Sequence, residues 1–276
     1  MPRVLVTGVR GKTGVPLAEL LVARPEVEVL GGSSDPSTVT MDGVRPTAFS
    51  WDDAAGWVAA TDGLDAAYVV RPDRADAPEL IASLLAVMAP RTRVVLLSEQ
   101  DADSVGPDGW APRCEQAVRG SRSDWTILRP SWFMQVFTDP RFYRDDVRSG
   151  ELPFSSAGAR VAWIDARDIA GVAARALLED GHSGVVYELS GPEALSLTRT
   201  AELLSIAVGR PVTHREVTID EAVTDTDGFE RELFEVTLER VHAGTFAVVT
   251  DTVERVTGRP ARALHAFLAD ARTTFG

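Results

Sequence analysis

The sequence predicts an α/β fold, a doubly wound parallel sheet with a smaller, mainly helical C-terminal lobe. Three observations carry that prediction. Short β-branched or alternating apolar runs recur between helical stretches up to Pro130, and such alternation selects a parallel sheet with right-handed crossovers. The first strand-to-helix turn is rich in glycine. Beyond Pro130 the alternation loosens and helical signals dominate.

The first element is the apolar run Val4-Leu5-Val6-Thr7, followed by Gly8-Val9-Arg10-Gly11-Lys12-Thr13-Gly14 and an amphipathic start at Val15. Gly8 allows a sharp turn at the strand end, Gly11 lets backbone approach a pyrophosphate, and Gly14 lets the helix pack close to the strand. Amides at the helix N-terminus then face the phosphates. Gly8, Val9, Arg10, Gly11, Lys12, Thr13 and Gly14 are the candidate cofactor loop. Lys12 is the only lysine in the chain; every other base is arginine.

Residues 26–30 alternate like a second strand, ending at Gly31-Gly32-Ser33-Ser34-Asp35-Pro36. A dinucleotide fold reads the adenosine ribose at this tip: an acid selects NAD, and a small polar group or a base admits the 2′-phosphate. Ser33 and Ser34, with Arg10 across the loop, favour NADP(H) over NAD(H). Asp35 argues for NAD if its side chain turns inward. Residues 47–51 read as a third strand that brings Ser50 and Trp51 toward the adenine, and Asp52 or Asp53 caps a helix reaching about Ala60. The fourth strand, residues 65–70, places Val70, Arg71 and Pro72 at its ligand end, and a helix over 76–88 follows. The fifth strand, residues 92–98, puts Ser98 at the same edge, where open sheets bind ligands. A glycine- and proline-rich loop leads to a helix over 113–120, and residues 125–129 form the sixth strand, stopped by Pro130.

After that strand, Ser131 joins the cofactor residues with Pro130, and Trp132, Phe133 and Gln135 are candidate substrate-pocket residues. Pockets of this kind are mostly apolar with few polar groups. Residues 161–164 are strand-like, Asp165 caps a helix, and 185–189 form another strand. Further helices are expected over 198–208, 227–242, 250–256 and 262–273. Between Glu216 and Glu239 stand nine acids and one base, Arg231. They are either a solvated helix face or a negative field that draws in cationic substrates.

Composition narrows the function. The net charge is -13, which with no basic patch argues against nucleic acid. No apolar run approaches the roughly 18 residues of a membrane span, and the N-terminus enters a strand with no leader pattern. Cys114 is the single cysteine, consistent with a cytoplasmic protein. The four histidines are far apart, so no metal site is expected. The partners expected are a small-molecule substrate and, at most, a second copy of the chain; monomer and homodimer are both open.

Taken together, the segments resemble the NmrA-like family of atypical short-chain dehydrogenase/reductases. The resemblance rests on Thr7-Gly8-x-x-Gly11-Lys12-Thr13-Gly14, on residues 128–135 (Leu-Arg-Pro-Ser-Trp-Phe-Met-Gln), on 164–170, on 187–195 and on 256–260. It covers almost the whole chain. The branch is similar to ergot-alkaloid dehydrogenases, with NADPH-dependent quinone reductases more distant. The resemblance implies a Rossmann-type sheet, with residues 1–150 as the NAD(P)-binding core and 151–276 as the remaining sheet elements and the substrate lobe closing over the sheet. It also implies NADP(H) and reduction of a small cyclic imine or iminium, enone or quinone, in a setting such as secondary metabolism. Three departures from the family stand out: Ser34 stands where arginine is common, Arg71 replaces a usually uncharged residue, and Glu99-Gln100 follow Ser98 where small residues are common.

Typical short-chain reductases protonate the product with a Tyr-x-x-x-Lys pair, the lysine lowering the tyrosine pKa. Tyr68, Tyr143 and Tyr187 are followed four residues on by Pro72, Val147 and Gly191. The dyad is absent from the sequence. Three readings stay open: a reductase whose substrate needs little acid help, with Ser98, the one matched polar group at the old catalytic strand end, as the catalytic candidate that orients the substrate or a water; an NADP(H)-sensing regulator without turnover; or a non-redox isomerase or cyclase on the same fold.

Overall fold

In the computed structural model, residues 1–121 and 124–275 are described. The elements run β1 (Arg3–Thr7), α1 (Gly14–Val22), β2 (Glu28–Ser33), β3 (Val44–Ala48), α2 (Trp57–Thr61), β4 (Ala66–Val70), α3 (Ala77–Val87), β5 (Arg93–Leu97), α4 (Trp110–Arg119) and β6 (Asp124–Pro130). They continue with α5 (Arg144–Ser149), β7 (Glu151–Phe154), β8 (Arg160–Val161), α6 (Ala166–Leu178), β9 (Val185–Leu189), β10 (Leu195–Ser196), α7 (Leu197–Val208), β11 (Thr213–Glu216), α8 (Ile219–Ala222), α9 (Gly228–His242), α10 (Thr252–Thr257) and α11 (Leu264–Asp270).

Seven strands form one sheet in the order β3-β2-β1-β4-β5-β6-β9, and the pairings from β3 through β6 are parallel. The order reverses direction at β1, which is the topology of an open dinucleotide-binding sheet. Alternate residues of the central strands meet helices on opposite faces. Leu5, Val69, Leu96 and Ile127 share one core with Trp57, Ile81, Leu84 and Val118. The intervening Val4, Val6, Tyr68 and Val95 are buried as well. Burial on both faces is why these strands read as near-continuous apolar runs.

Two strands differ from expectation. β2 runs on through Gly31 and Gly32 to Ser33, pairing Gly31 with Val6 and Gly32 with Thr7. The crowding there favours glycine: a Cβ on Gly31 falls 2.7 Å from Val44 Cγ1. The third strand begins at Val44 rather than at 47 and contains Pro46. It lies at the sheet edge, where a missing N–H is tolerated.

By its contacts the chain divides into two compact units, Met1–Arg129 with Ile169–Glu188, and Pro130–Asp168 with Leu189–Gly276. The second has its own core, in which Phe137, Phe154, Trp163, Leu204 and Leu268 pack together. Its small parallel pair β7–β11 was not expected, and the strand expected over 161–164 is confined to Arg160–Val161, where it pairs antiparallel with β10. Among the described residues no helix is long and apolar enough to cross a membrane.

Candidate active site

The glycine loop lies between β1 and α1. Gly8 takes a left-handed φ of +64°, and a Cβ at Gly14 falls 2.2 Å from the Gly8 carbonyl oxygen. The turn therefore closes only around glycine at both places. The Gly11 amide donates to the Gly8 carbonyl at 2.8 Å. Gly8, Arg10 and Gly11 are exposed, and the Thr13 side chain makes no cap bond to α1. An exposed glycine turn at a helix start without a side-chain cap fits a dinucleotide pyrophosphate.

The loop is braced from below. Thr7 Oγ1 donates to the Tyr68 carbonyl at 3.0 Å and accepts from the Val70 amide at 2.9 Å. The fully buried Tyr68 hydroxyl donates to Thr13 Oγ1 at 3.0 Å. Burial pushes the Tyr68 phenol well above its usual range. The Tyr143 phenol is raised the same way, and the Tyr187 hydroxyl lies 2.8 Å from His182 Nδ1.

At the β2 tip, Ser33 Oγ donates to the Asp35 carbonyl at 2.9 Å, and Ser34 is exposed. Asp35 does not reach back to the strand. Its carboxylate accepts from the Ser37 amide at 3.1 Å and the Ser37 hydroxyl at 2.6 Å, capping a short turn. Those bonds, with help from the Arg10 charge, lower its pKa. Past β3, Ser50 accepts from the Asp52 amide at 3.1 Å, and Trp51 packs edge-on to Phe49 and Trp57.

At the ends of β4 and β5 the polar residues are held in two arrangements. Arg71, between Val70 and Pro72, pairs with Glu99 at 3.0 Å and lies over the Trp110 ring. Ser98 donates to Glu115 at 2.6 Å. Glu115 is fully buried and also accepts from Arg129 Nε at 2.8 Å, Arg129 Nη2 at 2.7 Å and Arg119 at 3.0 Å. Arg129 in turn reaches Asp103 and Glu188. The Ser98 hydrogen is thus committed to a buried ion-pair network. Sequence reasoning overlooked Glu115; the available signal was an acid between Cys114 and Val118 on the apolar side of an amphipathic helix.

In the second unit, the Ser131 amide donates to the Leu189 carbonyl at 2.7 Å, following the buried Pro130. Trp132 is half-buried, with Phe154 at 5.1 Å, Phe246 at 5.7 Å and Phe234 at 6.3 Å between ring centroids. Phe133 is half-buried and bridges to Ile164. Gln135 is occupied by the start of α6: its Nε2 donates to Asp165 at 3.0 Å and its Oε1 accepts from the Ala166 amide at 3.1 Å. Asp165 also accepts from the Arg167 amide and guanidinium. It is a cap, as the sequence suggested. Of the acids around α9, Glu216 holds the Ser156 and Ala157 amides, and Glu235 and Asp220 pair with Arg231. Among the described residues no group of three His, Cys, Asp or Glu forms a metal site.

Asp168, in the first turn of α6, accepts from the Arg262 amide at 2.7 Å. Burial pushes its carboxyl up to about 6, the Arg262 bond opposing and the Asp165 charge adding to the rise. A raised carboxyl binds its proton more tightly when folded. Its stabilisation is full below about pH 4 and is lost as pH rises through 6. Asp168→Asn keeps an acceptor and carries no charge. It is expected to gain about 1–2 kcal/mol at pH 7.5 and nothing at pH 4, read from urea midpoints across that range.

No family model matches the chain. A (4-alkanoyl-5-oxo-2,5-dihydrofuran-3-yl)methyl phosphate reductase of Streptomyces griseus is 32% identical over 281 residues, covering 99% of each chain. An NAD(P)H azoreductase of Xenophilus azovorans is 31% identical, again over 99% of each. The crystal structure of an NADPH-dependent quinone oxidoreductase from Escherichia coli superposes with a TM-score of 0.82 at 20% identity, over 97% of this chain and 99% of that one. A glycine turn of this geometry on this strand order, carried by full-length identities of that size, means that the chain belongs to the NmrA-like family of atypical short-chain dehydrogenase/reductases, as one of its oxidoreductases.

Proposed function

We propose that this protein is an NADPH-dependent reductase that passes hydride to a small cyclic imine or iminium, enone or quinone. The observation that carries the cofactor choice is Asp35. Its carboxylate is bound to Ser37, so the β2 tip offers the exposed Ser34 and the nearby Arg10 charge to a 2′-phosphate rather than an acid to a ribose diol, while Ser33 braces the turn through the Asp35 carbonyl. The glycine loop from Gly8 to Gly14 would hold the pyrophosphate, with Ser50 and Trp51 toward the adenine. When bound, the nicotinamide supplies the hydride.

The chain's own residues bind and orient. Thr7 and Tyr68 keep the loop rigid through the bonds described above. Ser131 is assigned to the nicotinamide side of the cofactor, Trp132 and Phe133 to the substrate, and Gln135 fixes the turn that follows them. Two tyrosine phenols are driven upward by burial and the third is engaged by His182, which supports a substrate that needs little help from a protein acid. An iminium accepts hydride without a proton, and a reduced quinone leaves as a stabilised anion. Ser98, whose hydrogen goes to Glu115, is the candidate to orient the substrate or a water through its oxygen, as an acceptor. Relatives named as a dihydrofuranyl-methyl phosphate reductase and an azoreductase support a small electrophile without fixing its class.

The test is NADPH oxidation by the purified protein against cyclic iminium ions, enones and quinones, with NADPH and NADH titrated in parallel. NADPH should bind at least tenfold more tightly. Equal affinities would reject the cofactor assignment, and tight binding with no turnover across the panel would favour a sensor. Phe133→Ala should raise KM for the best substrate by about tenfold, the effect of losing roughly 1.4 kcal/mol of contact, with NADPH affinity unchanged.

A further inference from the structure

We infer that Arg71 is a dedicated anchor for the nicotinamide half of the dinucleotide, held ready by Glu99 and Trp110. The inference rests on the cofactor reading above and adds a residue whose role that reading leaves open. Arg71 follows β4, and Glu99 follows β5, the neighbouring strand. Nη2 of Arg71 donates to Glu99 at 3.0 Å, and the guanidinium carbon lies 4.5 Å from the centre of the Trp110 ring. Trp110 is itself fixed, its Nε1 donating to the Arg74 carbonyl at 2.9 Å. A planar guanidinium gripped at one edge and on one face has a defined orientation. Its other terminal nitrogen, Nη1, is buried and has no hydrogen-bond partner among the described residues.

A buried charged donor without an acceptor is costly, and native structures rarely keep one unless something else supplies the acceptor. The strand order shows which half of the ligand could do so. β1 carries the glycine loop. β2, on one side of it, carries Ser33 and Ser34, and β4 and β5 lie on the other. A dinucleotide laid across the reversal of strand order has its adenosine on the β2 side and its nicotinamide half on the β4 side. The side chain of Val70, next to Arg71, lies 3.5 Å from a Cβ built on Gly8, so the β4 end adjoins the loop. The acceptors available there are the oxygens of the nicotinamide-side phosphate and ribose. A guanidinium suits both, and Glu99 balances its charge when no ligand is bound.

Arg71→Met keeps most of the apolar stem over Trp110 and removes the donors. Calorimetric titration with NADPH and with 2′,5′-ADP, which carries only the adenosine half, separates the two sides of the site. Arg71→Met is expected to weaken NADPH at least tenfold and leave 2′,5′-ADP within twofold. Arg71→Lys, which keeps charge but cannot hold the Glu99 edge and the second donor together, should recover less than half of the loss in binding free energy. NADPH affinity within twofold of wild type in Arg71→Met would overturn the inference. So would an equal loss for both ligands in a variant that melts like wild type; if Arg71→Met melts early, the same two-ligand comparison is read from Arg71→Lys. Failure of the wild-type protein to bind either ligand would instead reject the cofactor reading itself.

Discussion

Glu115→Ala is expected to be the most damaging single substitution in the first unit, costing about 3–5 kcal/mol of stability. The carboxylate is fully buried and accepts from Ser98, twice from Arg129 and once from Arg119. Its removal leaves the nearly buried Arg129 with Asp103 and Glu188, both more exposed. A nearly buried guanidinium left with only those more exposed partners, rather than the lost pair itself, makes the cost large. Against a typical total of about 5–15 kcal/mol, much of the folded population is at stake. Urea denaturation of Glu115→Ala beside Ser98→Ala is the measurement. Ser98→Ala should cost only about 1 kcal/mol, because it removes one hydrogen bond and leaves the ion pairs intact. Equal losses would mean that the network is not organised around Glu115.

Gly14→Ala is expected to disable the cofactor loop. The added methyl falls 2.2 Å from the Gly8 carbonyl oxygen and 2.8 Å from Val9 Cα, and neither backbone atom can rotate aside. Relief requires the loop and the start of α1 to separate, at a cost of about 1–3 kcal/mol. The same displacement spoils the pyrophosphate cradle, so NADPH affinity should fall by about a hundredfold, equivalent to roughly 2.8 kcal/mol. Gly11→Ala, whose methyl sits 3.0 Å from the same oxygen, should be milder on both counts. Fluorescence titration with NADPH and thermal melts of the two variants test the ranking. Wild-type affinity in Gly14→Ala would show that the close contact does not shape the site.

Much of the first unit was legible because its signals are local. Strands buried on both faces announce themselves as apolar runs, and the glycine spacing locates the loop to the residue. The error at β2 has a plain cause. Gly31 and Gly32 read as a turn in isolation, and only their pairing with Val6 and Thr7 of β1 and with Pro46 and Thr47 of β3 makes them strand. The second unit was harder. β11 has the sequence Thr-His-Arg-Glu, with no apolar alternation, and it forms only because β7 lies about 60 residues earlier in the chain to pair with it. The polar partners were the least legible. Asp35 capping its own turn, Gln135 holding the start of α6, and Ser98 bound to Glu115 are choices between acceptors that no sequence pattern distinguishes.

The single lysine of the glycine loop gives the protein an unusual chemical address. Apart from the N-terminal amine, Lys12 carries the only primary amine in the chain, and it sits among the residues assigned to the pyrophosphate. Amine-directed crosslinkers, fluorophores and surface-coupling reagents, which decorate most proteins at scattered side chains, here meet a single one. With the N-terminal amine blocked, any such reagent that reacts with the folded chain places its adduct in the cofactor loop. Labelling yield then becomes a count of empty loops, and a preparation immobilised through its side-chain amine is tethered by the very segment it needs to keep open.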